Sequence, residues 1–189
     1  PDATPNLSRS NLQEQTFTLE TTNTWNENNP NQPNVTKSIR VLSSNPITWA
    51  QSNADNSGKF GWYLDLKVGN TTDGERIVDE MAARGQVLLF TSRTPSDDPC
   101  EAGLTGWTYG INPYTGGRTS FNVFDFDRSG TVSTGDSYNG TVVSGYETPA
   151  GGISLSGNTL FSTDGSSITV DFGASVSGRQ SWQILPEDE

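Results

Sequence analysis

Residues 60–68 (FGWYLDLKV) and 86–92 (QVLLFTS) have the clearest strand patterns in the chain, since both are rich in aromatic and aliphatic side chains. The second segment is nearly continuously apolar, which is typical of a strand covered on both faces. Turn-forming residues close the first segment at 69–74 (GNTTDG). Residues 107–112 (WTYGIN) follow the same scheme and end in another turn, PYTGG. These segments predict β-structure through the middle of the chain.

Shorter strand candidates extend the pattern in both directions, separated by Gly, Ser or Asn turns. They are residues 13–20, 38–42, 47–51, 120–124, 140–145, 153–155, 159–162, 167–172 and 180–185. Residues 1–12 and 21–37 are predicted to be extended or loop, because the first has two prolines and the second contains WNENNPNQPNVT. The best helix-forming stretch, DEMAARG at 79–85, is too short to stand alone as a helix. We therefore expect an all-β protein of short antiparallel strands, a single domain over residues 1–189.

Composition excludes several classes of function. The 189 residues include 22 acidic and 11 basic ones, giving a formal net charge of −11, and there is no histidine. Such a charge disfavours binding to nucleic acid or anionic lipid. The lack of histidine excludes imidazole catalysis and His-ligated zinc, and a single cysteine, Cys100, excludes a thiolate metal cluster within the chain. We therefore expect a protein that is not an enzyme and has no nucleic-acid partner.

The sequence also carries hints about location. A composition rich in Thr, Asn and Gly and poor in Lys is common in secreted β-proteins. No apolar stretch approaches the roughly 18 residues of a membrane-spanning helix, so direct membrane insertion is not expected. Residues 1–10 do not form a signal peptide. We expect an exported protein at the cell surface, with its signal upstream in a longer precursor of which this chain is a fragment.

The segment 125–136 (DFDRSGTVSTGD) has the spacing of an EF-hand calcium loop. Alternate residues of such a loop converge on one side, and a glycine at position 6, here Gly130, permits the sharp reversal. The predicted calcium ligands at positions 1, 3, 5, 7, 9 and 12 are Asp125, Asp127, Ser129, the carbonyl of Thr131, Ser133 and Asp136. The sequence therefore predicts a Ca²⁺ site.

This loop departs from the EF-hand pattern in three ways. Position 5 is Ser129, position 12 is Asp136 in place of the longer Glu, and strand patterns flank the loop where an EF-hand has helices. We expect an EF-hand-like loop between strands with a dissociation constant of roughly 10⁻⁴–10⁻³ M. The alternative is a loop of Asx and Ser/Thr turns whose carboxylates face water. Magnesium is less suited, because it keeps more of its own waters.

Several short motifs occur in a fixed order around this loop. They are GWYLDL (61–66), GERIV (74–78), GQVLLFTSRTP (85–95), DPC (98–100), GWTYGINPYTGGR (106–118) and, near the end, GRQSW (178–182). Their order, with the acidic loop directly after the fifth, resembles the C-terminal β-propeller region of the PilC/PilY family of type IV pilus tip-associated proteins. The ordered match covers residues 60–140 and the tail.

The resemblance implies part of a modified, quinoprotein-like β-propeller with a calcium loop between its strands. It further implies a cell-surface protein of the pilus tip or outer membrane that acts in pilus assembly, retraction control, twitching motility and adhesion. Its expected partners are pilin or minor pilins and a host or surface receptor. Calcium in the loop would then regulate pilus extension against retraction. The chain has no Arg-Gly-Asp sequence, so integrin recognition through that tripeptide has no support.

Other interpretations of individual residues stay open. The chain could be a calcium-stabilised carbohydrate-binding or scaffold module, with Trp25 in the Asn-rich segment as an exposed ring that faces a partner. A further alternative is a quinoprotein-like enzyme, which needs a complete propeller. Cys100, set among acidic residues, is a poor nucleophile and either pairs outside this chain or is a buried thiol. The acid pairs Asp97/Asp98 and Asp79/Glu80 are expected to be solvated and not catalytic.

Overall fold

The computed structural model describes residues 7–52, 55, 57–69, 73–95, 105–149 and 152–174. Within these residues the protein is β-rich, and its helical content is two short 3-10 turns, Arg9–Asn11 and Thr134–Asp136. The strands are β1 (Gln13–Gln15), β2 (Phe17–Trp25), β3 (Val35–Leu42), β4 (Trp62–Leu64), β5 (Ala82–Arg84), β6 (Val87–Thr94), β7 (Thr105–Ile111), β8 (Gly145–Pro149), β9 (Ile153–Ser156), β10 (Thr159–Ser162) and β11 (Ser167–Thr169). The all-β prediction is confirmed. No helix in the described part of the chain has the length and apolar character needed to cross a membrane.

The strands form three sheets. A six-stranded antiparallel sheet has the order β2-β3-β8-β7-β6-β5, and a three-stranded antiparallel sheet has the order β11-β10-β9. Strands β1 and β4 pair in parallel, which differs from the purely antiparallel expectation. The described residues do not close into a propeller, since their sheets have six, three and two strands.

The middle of the six-stranded sheet is buried on both faces, because β6 contributes alternate side chains to two separate cores. Val87 and Leu89 point into a core that includes Trp25, Phe124 and Phe126. The next residue along the strand, Phe90, belongs to the opposite core with Phe17, Leu42, Trp107, Tyr109 and Ile111. The prediction that residues 86–92 form a strand covered on both faces is confirmed.

A charged network is buried in the second core. Arg40, 5% exposed, lies 3.8 Å from the centroid of the Trp107 ring and forms a 2.6 Å ion pair with Glu75. Tyr109 and Ser92 donate hydrogen bonds to the same Glu75 carboxylate. Burial, with the charge of Glu75, raises the pKa of Tyr109 well above its ordinary value, so this hydroxyl stays a neutral donor. The network ties the segment before β5 to the centre of the sheet.

About half of the predicted loop at residues 21–37 is strand. Strand β2 runs on to Trp25 and β3 begins at Val35, so the connecting loop is confined to residues 26–34. The threonines explain the difference, because β-branched residues suit a pleated surface and can pair across it. Thr24 and Thr36 are cross-strand neighbours whose hydroxyls are 2.9 Å apart. Trp25 is 5% exposed, so the interpretation of this residue as a partner-facing ring is wrong.

Other predicted strands differ in extent. Residues 107–112, 153–155 and 159–162 correspond closely to β7, β9 and β10, whereas 60–68 and 167–172 shrink to the three-residue strands β4 and β11. Residues 47–51 and 120–124 each contribute one isolated β-bridge, through Trp49 and Phe124. Of the strand predicted at residues 140–145, only Gly145 lies in a strand, as the first residue of β8. The strand predicted at 180–185 lies outside the described residues.

Candidate metal centre

The acidic loop, residues 125–136, starts where the chain crosses the first core. Phe124 and Phe126, on either side of Asp125, are 1% and 2% exposed. The backbone N–H of Asp125 donates to the carbonyl of Thr169 at 3.0 Å, and that of Asp171 donates to Val123 at 2.8 Å. Buried rings and two backbone hydrogen bonds therefore fix the first ligand position against the three-stranded sheet.

Three of the predicted ligands converge. One carboxylate oxygen from each of Asp125, Asp127 and Asp136 lies within 4.8 Å of the others. Calcium–oxygen distances are about 2.3–2.6 Å. Two oxygens on opposite sides of one calcium ion are therefore about twice that distance apart. Asp125 is 4% exposed and Asp136 is 0% exposed. The arrangement is thus of a size that suits one cation, with two of its acids removed from water.

Backbone N–H groups orient the two buried carboxylates. Those of Ser129 and Gly130 donate to the two oxygens of Asp125, at 3.1 and 2.9 Å. Those of Asp127 and Ser133 donate to the two oxygens of Asp136, at 3.0 and 2.7 Å. A carboxylate oxygen has two lone pairs, so each can still coordinate a cation.

The electrostatics of the cluster favour a bound cation. Burial raises the pKa of Asp125 to about 6, with further contributions from Asp127 and Asp136. Burial also raises the pKa of Asp136. No basic side chain forms an ion pair with these acids among the residues that the structure describes. A divalent cation would supply the missing positive charge, and an all-oxygen donor set suits a hard ion such as Ca²⁺.

The backbone of the loop has the reversal that the sequence predicted. Gly130 has φ of +89° and Arg128 has φ of +54°, both in the left-handed region. A Cβ at position 130 would meet no atom within 4 Å, so glycine is favoured there by backbone conformation and not by lack of space. Val132, at position 8, is half-buried.

The remaining predicted ligands lie on the exposed side of the loop. The hydroxyl of Ser129 donates to the carbonyl of Thr131 at 2.9 Å. The hydroxyl of Ser133 accepts a hydrogen bond from the N–H of Gly135 at 3.1 Å. A Cβ added at Gly135 would lie 3.0 Å from Asp127 Oδ2 and 3.3 Å from Ser133 Oγ, so these two oxygens approach the same point. Coordination by Ser129, Thr131 and Ser133 remains a prediction.

Two amides that the sequence did not single out support the loop from outside. The side-chain amide of Asn26 donates to the carbonyl of Asp127 at 2.7 Å, and that of Asn122 donates to the carbonyl of Ser133 at 2.6 Å. The indole of Trp25 stacks on Phe126. Asn26 and Asp127 are 101 residues apart in sequence, and local spacing carries no signal for such a contact.

The other residues considered from sequence lie apart from this centre. Asp79 pairs with Arg93 at 2.9 Å and accepts a hydrogen bond from Thr91. Trp107 is buried in the second core. Cys100, Asp97, Asp98 and Trp182 lie outside the described residues.

The fold and the site define a β-rich protein with an acidic, oxygen-donor loop held between two sheets, and comparison with known proteins places it further. No family model matches the chain. It is 38% identical over 196 residues to the type IV pilus biogenesis factor PilY1 of Pseudomonas aeruginosa strain UCBPP-PA14, an alignment that covers 98% of this chain. The PilY1 of strain PAO1 is 41% identical over 192 residues, covering 97% of this chain. A PilY1 homologue of Xylella fastidiosa is 39% identical over 50% of the chain.

A solved structure gives the same result. The crystal structure of the Pseudomonas aeruginosa PilY1 C-terminal domain aligns with a TM-score of 0.74 and 39% identity, covering 90% of this chain and 33% of that one. The chain is homologous to the PilY1 C-terminal domain, which confirms the resemblance to a C-terminal region of the PilC/PilY family. It spans 16% of the length of the two Pseudomonas relatives.

Proposed function

We propose that this chain is a calcium-binding module of a type IV pilus tip-associated protein. The observation that carries the proposal is its homology to PilY1 over 97–98% of the chain, since PilY1 is named as a type IV pilus biogenesis factor. The module would act without enzymatic chemistry, in pilus assembly, retraction control, twitching motility and adhesion. It would sit at the cell surface, on the pilus tip or outer membrane, after export.

Three features support calcium as the ligand. The carboxylates of Asp125, Asp127 and Asp136 converge within 4.8 Å, two of them are buried, and the loop offers only oxygen donors. Ser129, Ser133 and the Thr131 carbonyl would complete the shell. The affinity would be weak, roughly 10⁻⁴–10⁻³ M, because three carboxylates and two hydroxyls bind less strongly than an acid-rich loop.

The proposed setting is a larger β-domain. This chain covers 33% of the solved PilY1 domain, so the sheets described here would form part of a modified propeller completed by other segments. Its partners would be pilin or minor pilins and a surface receptor, and calcium in the loop would bias the pilus towards extension or retraction.

A purely structural ion in a scaffold or carbohydrate-binding module is the second candidate. The acidic loop is hydrogen-bonded to the three-stranded sheet through Thr169 and to the first hairpin, formed by β2 and β3, through Asn26. An ion there would hold these elements together whatever the protein binds. The carbohydrate-binding version relied on an exposed ring at Trp25, but Trp25 is buried.

The two candidates separate when piliation and stability are measured together. We would introduce Asp127→Asn into the complete protein in cells that assemble type IV pili, with Glu80→Gln, an exposed acid away from the loop, as the charge-matched control. The proposed function expects altered pilus number and surface motility with the loop variant alone. Normal pili and motility, with only a lower melting temperature of the purified protein, would favour the structural ion.

A further inference from the structure

A cavity of about 230 Å³ opens on the side of the acidic loop that faces the three-stranded sheet. Strands β3, β10 and β11, the turn before β11 and the acidic loop line it. Its hydroxyl groups come from Thr159, Ser166, Ser167 and Thr169, and its basic side chains are Lys37 and Arg128. We call this cavity the basic cleft.

The two cations of the cleft are available to a ligand. Neither Lys37 nor Arg128 forms an ion pair or a side-chain hydrogen bond within the ranges that the structure describes. The ammonium of Lys37 lies 5.7 Å from the centroid of the Tyr146 ring.

Two carboxylates compete for these cations. Asp125 lines the cleft as well as the acidic loop. Asp164 lies in the turn before β11, where hydrogen bonds from Ser166 and the charge of Lys37 hold its pKa below the ordinary value. Asp164 is largely satisfied by Ser166, whose N–H and hydroxyl bind it at 2.9 and 2.6 Å. Asp125 is therefore the acid that most directly opposes an anion in the cleft.

We propose that the basic cleft binds a ligand through a carboxylate group, which Lys37 and Arg128 hold while hydroxyls of the Ser166–Thr169 segment donate to its oxygens. The volume of the cleft suits one sugar ring or one amino-acid residue rather than a larger ligand. Charge-assisted hydrogen bonds are the strong ones in such a site, and neutral analogues of the same shape would lose them.

The binding would depend on calcium, and this part rests on the proposed function. Asp125 lines the cleft and also belongs to the acidic loop, which carries two further carboxylates. A divalent cation neutralises most of that charge, so repulsion of an incoming carboxylate falls. Linkage is reciprocal, so the carboxylate would also tighten calcium binding.

The test is a nuclear magnetic resonance titration of the ¹⁵N-labelled chain with matched pairs of small probes. One pair is glucuronate and glucose, and the other is N-acetylaspartate methylamide and its asparagine counterpart. We expect the charged member of at least one pair to shift the backbone amides of residues 166–169 and 128 in calcium. The pair that binds more tightly identifies the source as an acidic sugar or a peptide. Once calcium is bound to the wild type, equal binding of charged and neutral members, or no shift from either acid, overturns the proposal.

Variants separate the cleft from the calcium site. The double variant Lys37→Gln/Arg128→Gln is expected to weaken carboxylate binding about tenfold while still binding calcium. Lys67→Gln/Arg76→Gln, two exposed cations elsewhere, is the matched control and should bind like the wild type. A cleft variant that binds the probes as well as this control contradicts the proposal.

The variant Asp125→Asn tests carboxylate binding to the cleft in the absence of calcium. It removes the opposing charge, so it is expected to bind the charged probe in EDTA about as well as the wild type does in calcium. If the wild type fails to bind calcium but this variant binds the probe, the cleft stands and the calcium function fails. If the wild type binds calcium and neither protein binds a probe, the cleft proposal alone fails.

Discussion

The indole ring of Trp25 stacks on the phenyl ring of Phe126, with centroids 4.4 Å apart and planes inclined by 17°. Trp25 ends strand β2 and Phe126 is the second residue of the acidic loop, so the contact joins the tip of the first hairpin to the candidate metal centre. The next residue of the hairpin, Asn26, donates to the carbonyl of Asp127. The position of the loop therefore depends on a segment about a hundred residues earlier in the chain.

Replacing Trp25 should weaken both the fold and the site. Trp25→Ala removes a large buried ring and is expected to cost about 3–5 kcal/mol of unfolding free energy. Trp25→Phe should cost less, because it keeps a stacked ring and removes an indole N–H that has no partner among the described residues. Urea denaturation measures the stability, and calcium titration should show weaker binding for the alanine variant than for the phenylalanine one. Equal calcium affinity in the two variants would mean that the stack does not position the loop.

A pair of glycines separates backbone strain from calcium binding. Gly130 and Gly157 both have positive φ, +89° and +60°, and an added Cβ would meet no atom within 4 Å at either. Alanine at each is expected to cost about 1–2 kcal/mol through backbone conformation alone. Only Gly130→Ala should also lower calcium affinity, as measured by calorimetry, because only Gly130 lies in the acidic loop. A comparable loss of affinity in Gly157→Ala would count against this account.

The buried ion pair of Arg40 and Glu75 should be sensitive to the loss of one partner. Arg40→Met leaves the Glu75 carboxylate, whose side chain is 3% exposed, without its cation, and is expected to cost about 3–5 kcal/mol. The double variant Arg40→Met/Glu75→Gln should recover much of this loss, since no buried charge remains.

The control for this ion pair is Arg93→Met. Arg93 pairs with Asp79, but the two side chains are 32% and 26% exposed, so the expected loss is only about 1 kcal/mol or less. Urea denaturation of the three variants gives the comparison. If Arg40→Met were no more costly than Arg93→Met, the buried network would not be a main support of the second core.

Stability should depend on pH through the acidic loop. The pKa of Asp125 is raised from 3.8 to about 6, so without calcium the folded state binds this proton more tightly than the unfolded state does. The resulting stability is present below about pH 4 and is lost as the pH rises through about 6. Asp136 acts in the same direction. Urea midpoints in EDTA should therefore fall over this window, less so in Asp125→Asn.

Saturating calcium should reverse that trend. A coordinated carboxylate is deprotonated, so calcium stabilises the folded protein more as the pH rises. The same urea series in millimolar calcium should show stability that increases between pH 4 and 6. Identical pH profiles with and without calcium would show that the ion does not bind these acids.

Local sequence patterns predicted the features that depend on local contacts. The nearly continuous apolar run at residues 86–92 correctly predicted a strand buried on both faces, because a strand needs apolar side chains on each face that is covered. The spacing at 125–136 correctly predicted that Asp125, Asp127 and Asp136 converge, because a short loop must bring alternate residues to one side.

Features that depend on contacts between distant parts of the chain were missed, because local sequence patterns do not report such contacts. The segment at residues 21–37 was predicted to be a loop, yet its two ends pair with each other as far as Trp25 and Val35, and Trp25 packs on Phe126 about a hundred residues later. The parallel pairing of β1 with β4 joins residues about fifty positions apart. Neither these contacts nor the bond from Asn26 to Asp127 leaves a periodic trace in the sequence.

Calorimetric titration of the purified chain with calcium, with magnesium as the comparison ion, tests the central claim most directly. We expect one site per chain with a dissociation constant of roughly 10⁻⁴–10⁻³ M, and weaker binding of magnesium. Asp127→Asn should abolish calcium binding, whereas Glu80→Gln, which removes the same charge elsewhere, should not. A wild-type chain that binds no calcium, or an Asp127→Asn variant that binds it as tightly as the wild type, would contradict the calcium site.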